Sequence, residues 1–483
     1  MLQEREITNI DFEIVKRFFV DPANPKSAED LAKLGSDAVI AMAQIYATQG
    51  DISKMTEDMR EWLTNPQNAD TRLEQQLGEV LKREASTRIF DNYFVGQIHP
   101  QGSKIGILSN LIGAYMNTNR IYKGVSPAEA EMETDSIRWL SEIFGYDTNV
   151  SGGNITTGGT TANMEALWVA REKILEADRT NVRKNEKPLY VLVSKYRHYS
   201  IDKACNMLGL RLLEVADKDF KVDVDSLKSK AEAIDKAGGR ITVIIGIAGE
   251  TETGMVEDLN KLSKVAEEYK AFFHVDAAYG GPYVLSQAKN KFCGINKADS
   301  IAIDPHKMLY TPYSAGCVLF KNESDHLLIS KVENTRYLRN VVARVEGSMG
   351  SGGVIATWAT KELLGNKGIA ALLDHNLKLA DYAYKRTSDS KILRPIFKPE
   401  LNTILLGFKA NLGLGLEKYN NIMDHIEDTA EEIKPGKTIY ISRNEKIDNG
   451  KDALRFLANH PYTTEKNVDE IVSFLENEAK KYL

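Results

Sequence analysis

Four short stretches of the 483-residue chain place reactive side chains where apolar runs stop. In "DSIAIDPHKML", Lys307 follows His306 just past a β-branched run. A lysine there is usually solvated, but it is also where an amine nucleophile for a carbonyl group would stand. In "FFHVDAAYGG", Asp276 ends a second run, and Ala277 and Ala278 leave room for something flat. A carboxylate in that place needs a cation or a proton donor, or else it caps the next turn. In "VSKYRHYSIDKA", His198 lies between a strand-like and a helix-like segment, a position more often structural than chemical. In "NITTGGTTANMEALWVAREK", two glycines and several threonines precede a helix with Ala162, Ala166, Leu167 and Ala170 at helical spacing. Backbone N–H groups and hydroxyls at such a helix start suit a phosphate. The stretch is neither a Walker loop nor a GxGxxG fingerprint.

Each signal alone is weak, and together they describe one ligand. Pyridoxal 5'-phosphate wants a lysine for a Schiff base, a carboxylate that keeps its ring nitrogen protonated, a flat group against the ring and a cradle for its phosphate.

Those residues need a sheet to present them on one edge. Between about 150 and 320, "LYVLVS" (189 to 194), "RITVIIGIAG" (240 to 249), "AFFHVDAA" (271 to 278), "SIAIDP" (300 to 305) and "AGCVLF" (315 to 320) read as strands. The intervening "DLNKLSKVAEEYKA" carries Leu259, Leu262, Val265, Ala266 and Tyr269 on one helical face. Strands alternating with amphipathic helices predict an α/β fold with a mostly parallel central sheet flanked by helices, its ligands outside the carboxyl ends. Residues 1 to 85 read as a helical segment, with "AEDLAKLGSDAVIAMAQIYATQ" and "TRLEQQLGEVLKREAS" apolar at three- and four-residue spacing. Residues 86 to 345 are expected to form the large domain. The remainder, 346 to 483, mixes helices with strand-like "TILLGFK" and "TIYISR" and reads as a smaller α+β domain.

A net charge of -6, with acids and bases interspersed, argues against a broad nucleic-acid surface. Cys205, Cys293 and Cys317 show neither disulfide nor zinc spacing, so no metal is expected. Acids stand where a signal peptide would be basic, and no run is apolar enough to span a bilayer, so a cytoplasmic protein away from the membrane is expected.

From about residue 90 onward the chain resembles the group II pyridoxal-phosphate-dependent amino-acid decarboxylases, of fold type I. The resemblance rests on "SPAEAEMETDSIRWLSEIFGY", "TTGGTTANMEAL", "HVDAAYGG", "DSIAIDPHKM" and "LRFLANHPYTT", in that family's order. It implies that Lys307 carries the cofactor, that His306 lies near the phosphate, and that Gly159 and Thr160 belong to the phosphate loop. Asp276 would pair with the ring nitrogen, Ala278 would pack beneath the ring and His198 above it. Thr251 in "AGETETG" would lie near the cofactor, and Arg455 in "ALRFLANHP" would bind the substrate α-carboxylate. A tyrosine after the lysine is implied as proton donor, and Tyr337 in "ENTRYLRN" matches it, with His198 as the other possibility. The chain departs from many members at Thr160 and Thr161, where they have Ser-Glu, and at Glu250, where they have threonine. It departs again at Asp304, where they have asparagine, and at Met349, where relatives commonly carry arginine. The resemblance also implies a homodimer with sites at the subunit interface, which the N-terminal helices would clasp.

The substrate expected from "DPHKMLYTPYSAG" is an aromatic amino acid such as tyrosine. The alternative is an acidic one, glutamate giving GABA or aspartate giving β-alanine. That would need a second cation, for which Lys104 and Arg120 are in place by sequence, although both read as surface charges. A carbon–carbon lyase, a desulfurase and a non-catalytic scaffold are the rival classes.

Overall fold

The computed structural model describes residues 25–48, 52–65, 72–84, 92–177, 187–331, 344–431 and 439–483. Two compact units divide it, one of residues 1–90 with 429–439 and one of 91–428 with 440–483. In the first unit, helices α1 (Pro25–Ala47), α2 (Glu57–Thr64) and α3 (Arg72–Glu84) fall on the predicted helical stretches. Ala41, Ile45, Met55 and Leu81 form their common core.

The second unit opens with α4 (Lys104–Met116) and α5 (Pro127–Ile143), then β1 (Gly152–Thr156), α6 (Gly159–Ala177), β2 (Leu189–Ser194), α7 (Tyr199–Leu208) and β3 (Arg211–Val215). A short hairpin, β4 (Asp217–Lys218) and β5 (Lys221–Val222), leads into α8 (Val224–Lys236), β6 (Arg240–Ile247), α9 (Leu259–Glu268), β7 (Phe272–Asp276), β8 (Ser300–Ile303) and β9 (Gly316–Phe320). Seven of these strands make one sheet in the order β1-β9-β8-β7-β6-β2-β3. Only β9 runs against the others, pairing antiparallel with both β1 and β8. The remaining pairs, β8 with β7, β7 with β6, β6 with β2 and β2 with β3, are parallel.

Strand side chains alternate between two cores, as a pleated sheet covered on both faces requires. Leu192, Ile244, Phe273, Ile301 and Ile303 pack with Leu227 of α8 and Leu259, Leu262 and Val265 of α9. Their neighbours Val191, Val193, Val243, Ile245, Phe272 and Ala302 pack with Ala162, Ala166, Leu167 and Ala170 of α6 and Ile201 and Ala204 of α7. Each fully buried aliphatic side chain contributes about 1.5–3 kcal/mol before the entropy of ordering is counted. Two helix starts are fixed locally. Asp223 caps α8 by accepting from Asp225 N–H, and Asp258 caps α9 by accepting from Lys261 N–H.

After α10 (Glu323–His326) comes α11 (Gly352–Ser388), broken at Gly365, then β10 (Leu393–Pro395), β11 (Thr403–Phe408), α12 (Leu416–Glu431), β12 (Ser442–Asp448), β13 (Lys451–Leu457) and α13 (Glu465–Lys480). Strands β10-β11-β13-β12 form an antiparallel sheet, the α+β texture expected of the C-terminal part. "TIYISR" becomes strand only from Ser442, because Tyr440 instead bridges to Phe94. No helix among the described residues is long and apolar enough to cross a membrane.

On α4, one helical face leaves Leu108, Leu111, Ile112 and Tyr115 each more than half exposed. That is a contiguous apolar surface of a kind soluble proteins normally cover.

Candidate active site

The carboxyl ends of β1, β2, β6, β7 and β8 open onto a cavity of about 260 Å³. Of the residues predicted from sequence, Gly159, Thr160, His198, Thr251, Asp276, Ala278, His306 and Lys307 all line it. Chain order places them there, since Asp276 is the last residue of β7 and each of the others follows the end of a strand by a few positions. Two predicted residues remain, Tyr337 and Arg455. Tyr337 lies outside the described residues. Arg455, on β13, stands one layer behind: its guanidinium donates to the carbonyls of Thr251 (2.9 Å) and Gly96 (3.0 Å) and to Ser442 Oγ (3.2 Å). It thus grips the backbone on which Thr251 stands.

Asp276, the last residue of β7, is 7% exposed. Its Oδ2 accepts from Asn163 Nδ2 at 2.8 Å and its Oδ1 from the Ala278 N–H at 3.2 Å. Lys307 faces a second carboxylate, with Nζ 2.9 Å from Asp304 Oδ2. Burial disfavours the ammonium, but Asp304 and the more distant Asp276 outweigh it and hold the amine above its ordinary value. Asp304 is 2% exposed, and its Oδ1 has no hydrogen-bond partner among the described residues. His306 is buried, which lowers its pKa, and its Nδ1 accepts from the Ala315 N–H at 3.3 Å. The Tyr313 ring stacks on His306 with centroids 3.9 Å apart, and His99 meets Tyr313 edge-on. Burial also lowers the pKa of His198, although Asp276 opposes that shift.

The phosphate-loop candidate is shaped by close backbone contacts. A Cβ at Gly159 would stand 2.9 Å from Asp304 Oδ2 and 3.2 Å from the Ala278 Cβ. Behind it, a Cβ at Gly316 on β9 would come within 2.4 Å of the Gly158 Cα, so strand and loop touch backbone to backbone. Gly159→Ala should therefore overpack the loop and destabilise the protein by about 1–3 kcal/mol. Urea denaturation of the cofactor-free protein measures this directly.

The turn carrying Thr251 is held by Glu250, which accepts from the Glu252 and Thr253 N–H groups and the Thr253 hydroxyl. Burial pushes Glu250 up to about 7 and Glu257, which accepts from Ile247 and Val222 N–H groups, likewise to about 7. A carboxyl raised in the folded state stabilises fully below its unfolded value and loses that contribution as pH rises through the folded one. Glu257→Gln removes the ionisation, so its melting temperature relative to wild type should rise between about pH 5 and about pH 8. A thermal-melt series across that range is the check.

Sequence reasoning did not assign a role to Asn163, Tyr196, Tyr199, Asp304 or Tyr313, all of which line the cavity. For Asn163 a signal existed, a polar residue inside the apolar stripe of α6. Arg120 corrects an expectation: rather than a surface charge it is 5% exposed, 3.2 Å from Glu133. Lys104 is exposed as expected. Neither lines the cavity.

An amine, a carboxylate anchored at a strand end, a glycine turn opening a helix and a mostly parallel sheet together define a protein of pyridoxal-phosphate chemistry on a type I fold. The chain belongs to the pyridoxal-dependent decarboxylase family, whose conserved domain matches residues 59–410. It is accordingly a pyridoxal-phosphate-dependent amino-acid carboxy-lyase. The chain is 26% identical over 310 residues to an aromatic-L-amino-acid decarboxylase of Bacillus atrophaeus, covering 61% of this chain and 63% of that relative. To an L-tyrosine/L-aspartate decarboxylase of Methanocaldococcus jannaschii it is 27% identical, over 77% of this chain and 88% of the relative. To an aspartate 1-decarboxylase of Aliivibrio fischeri it is 25% identical, over 90% and 87%. The fold matches that of Oryza sativa TDC with PLP and tryptamine, with a TM-score of 0.82 at 20% identity over 96% of this chain and 99% of that one.

The residues present fit the cofactor. Asp276 keeps unused acceptor capacity at the cavity wall, Lys307 supplies the amine, and the bare Cα of Gly159 leaves open the cradle that a Cβ would crowd.

Proposed function

We propose that this protein is an α-decarboxylase of an aromatic L-amino acid such as tyrosine, releasing CO2 and the amine. The observation that carries the substrate reading is the cavity wall. Tyr196, Tyr199 and Tyr313 contribute rings to it, and among the described residues Lys307 is its only lysine or arginine. An acidic side chain would need a further cation, and Arg120 and Lys104 stand elsewhere.

When bound, pyridoxal phosphate supplies an aldehyde for the amine and an electron-withdrawing ring. In the proposed assignment Lys307 is the covalent anchor, and Gly159, Thr160 and His306 cradle the phosphate. Asp276 holds a proton on the ring nitrogen, because a neighbouring negative charge favours the protonated form. Ala278 and His198 pack against the two ring faces, and Thr251 borders the site. Arg455 is proposed for the substrate carboxylate, a role that requires its guanidinium to leave the Thr251 and Gly96 carbonyls and reach the cavity. Tyr337 and His198 are the proposed sources of the proton delivered to Cα.

A homodimer is proposed with the apolar face of α4 at its interface and the N-terminal helices clasping the partner, because exposed apolar surface of that extent needs a cover. A cytoplasmic location is part of the same reading.

One observation favours a second substrate. Of the three sequence relatives compared above, the one that covers most of this chain is named for aspartate. Measuring CO2 release from a panel of L-amino acids distinguishes the two. The proposal expects the highest kcat/KM for an aromatic substrate, and preference for aspartate or glutamate would overturn it.

A further inference from the structure

Behind the cavity wall runs a hydrogen-bonded chain of buried groups with no catalytic role so far. His274, one turn of pleat before Asp276 on β7, is fully buried, and its ring bonds Ser300 Oγ through Nδ1 at 2.8 Å and Asn163 Oδ1 through Nε2 at 2.9 Å. Asn163 Nδ2 then donates both to Asp276 Oδ2 at 2.8 Å and to Ser200 Oγ at 3.0 Å. Ser200 Oγ reaches His198 Nδ1 at 2.8 Å. Asn163 is 1% exposed and Ser200 0%.

The chemistry of each group fixes the direction of every bond. A carboxylate oxygen only accepts, so the amide of Asn163 must turn its NH2 towards Asp276 and its oxygen towards His274. The proton of His274 therefore lies on Nε2. Burial lowers its pKa to about 4, so the ring carries that single proton and Nδ1 accepts from the Ser300 hydroxyl. Ser200 Oγ accepts from Asn163 and has its own hydrogen left to give to His198 Nδ1. The Ser200 N–H, at 3.3 Å, donates to the same nitrogen, where His198 caps α7. With Nδ1 accepting twice, the neutral His198 ring carries its proton on Nε2.

We propose that Asn163 is a positioning residue that joins Asp276 and His198 into one unit and, through Ser200, holds the proton of His198 on Nε2. The group assigned to the ring nitrogen and the group assigned to the ring face are thereby oriented by a single amide. His198 is left with its N–H on the ring nitrogen that the cap of α7 does not engage. The inference rests on the assignment of Asp276 and His198 to the cofactor.

Two variants of the holoenzyme separate the arms. Ser200→Ala cuts the link to His198 and leaves the bond from Asn163 to Asp276 intact, whereas Asn163→Ala cuts both. The readouts are the ring 15N shifts of His198, assigned by difference with His198→Gln, and the dissociation constant of pyridoxal phosphate. Wild type should show the Nε2–H tautomer alone and both variants a detectable share of Nδ1–H, because Ser200→Ala leaves only the longer bond from the backbone N–H and Asn163→Ala frees the Ser200 hydroxyl to accept. Cofactor affinity should hold in Ser200→Ala and fall about tenfold or more in Asn163→Ala, the loss of one hydrogen bond to a charged group. An unchanged His198 tautomer in Ser200→Ala overturns the proposal. So does an Asn163→Ala protein that holds the cofactor as tightly as Ser200→Ala. If Asn163→Ala does not fold, Ser200→Ala alone still decides the tautomer. Failure of the underlying assignment looks different: wild type itself would then yield no cofactor-labelled Lys307 after borohydride reduction.

Discussion

Lys307→Ala protein, loaded with pyridoxal phosphate and reduced with borohydride, is expected to yield no cofactor-modified peptide, and its CO2 release should fall to background. Lys307 is the only lysine in the cavity wall among the described residues, and it is held 2.9 Å from Asp304 at the end of β8. Among the described residues no second amine stands within the wall to replace it. The substitution also strands a buried carboxylate, since among the described residues Asp304 then keeps only the longer approach of His306 Nε2 at 3.6 Å. Breaking a buried pair from one side costs about 3–5 kcal/mol. Urea denaturation should therefore show a marked stability loss that accompanies the loss of labelling. Label on any other residue in the wild-type protein would displace Lys307 from its role.

For Asp276→Asn the expected result is a fall in turnover of about 10²–10³-fold, the range for removing one preorganised electrostatic contact at a reacting group. An amide in that place carries no negative charge to keep a ring nitrogen protonated. Its single oxygen also cannot accept from both Asn163 Nδ2 and the Ala278 N–H, as the two carboxylate oxygens do. One of those donors is left without its partner, at about 1–3 kcal/mol. Measuring CO2 release beside the circular dichroism spectrum separates chemistry from folding. Near-normal turnover in a folded variant would contradict the assignment.

Much of this site was legible because parallel sheets put their loops at one edge. The strand at 189 to 194 was read with its observed limits, and the runs at 240, 271, 300 and 315 within three residues. Once the first four of those strands are parallel, Asp276, His198 and Lys307 converge without further information. Strands β1 and β3 were not read, for a physical reason. "GGNIT" owes its extended form to antiparallel pairing with β9, and "RLLEV" lies on the sheet edge with a polar flank. Strand β13 was hidden in the same way, because "KDALRFL" has no two-residue alternation to declare it. Arg120 failed differently. Its burial depends on Glu133, which lies on α5 while Arg120 stands in the loop before that helix, and no local pattern announces a pair made in three dimensions. Asn163 stood in view, but its meaning needed the rotamers of four other residues.

The contact between Gly316 and Gly158 has a kinetic consequence. Because the turn is wedged against a neighbouring strand with no side chain between them, its shape is settled when the polypeptide folds, and a ligand arriving later finds it already formed. Amide hydrogens of that turn should exchange slowly in apoprotein, and capture of the vitamin should proceed in one phase with no preceding isomerisation.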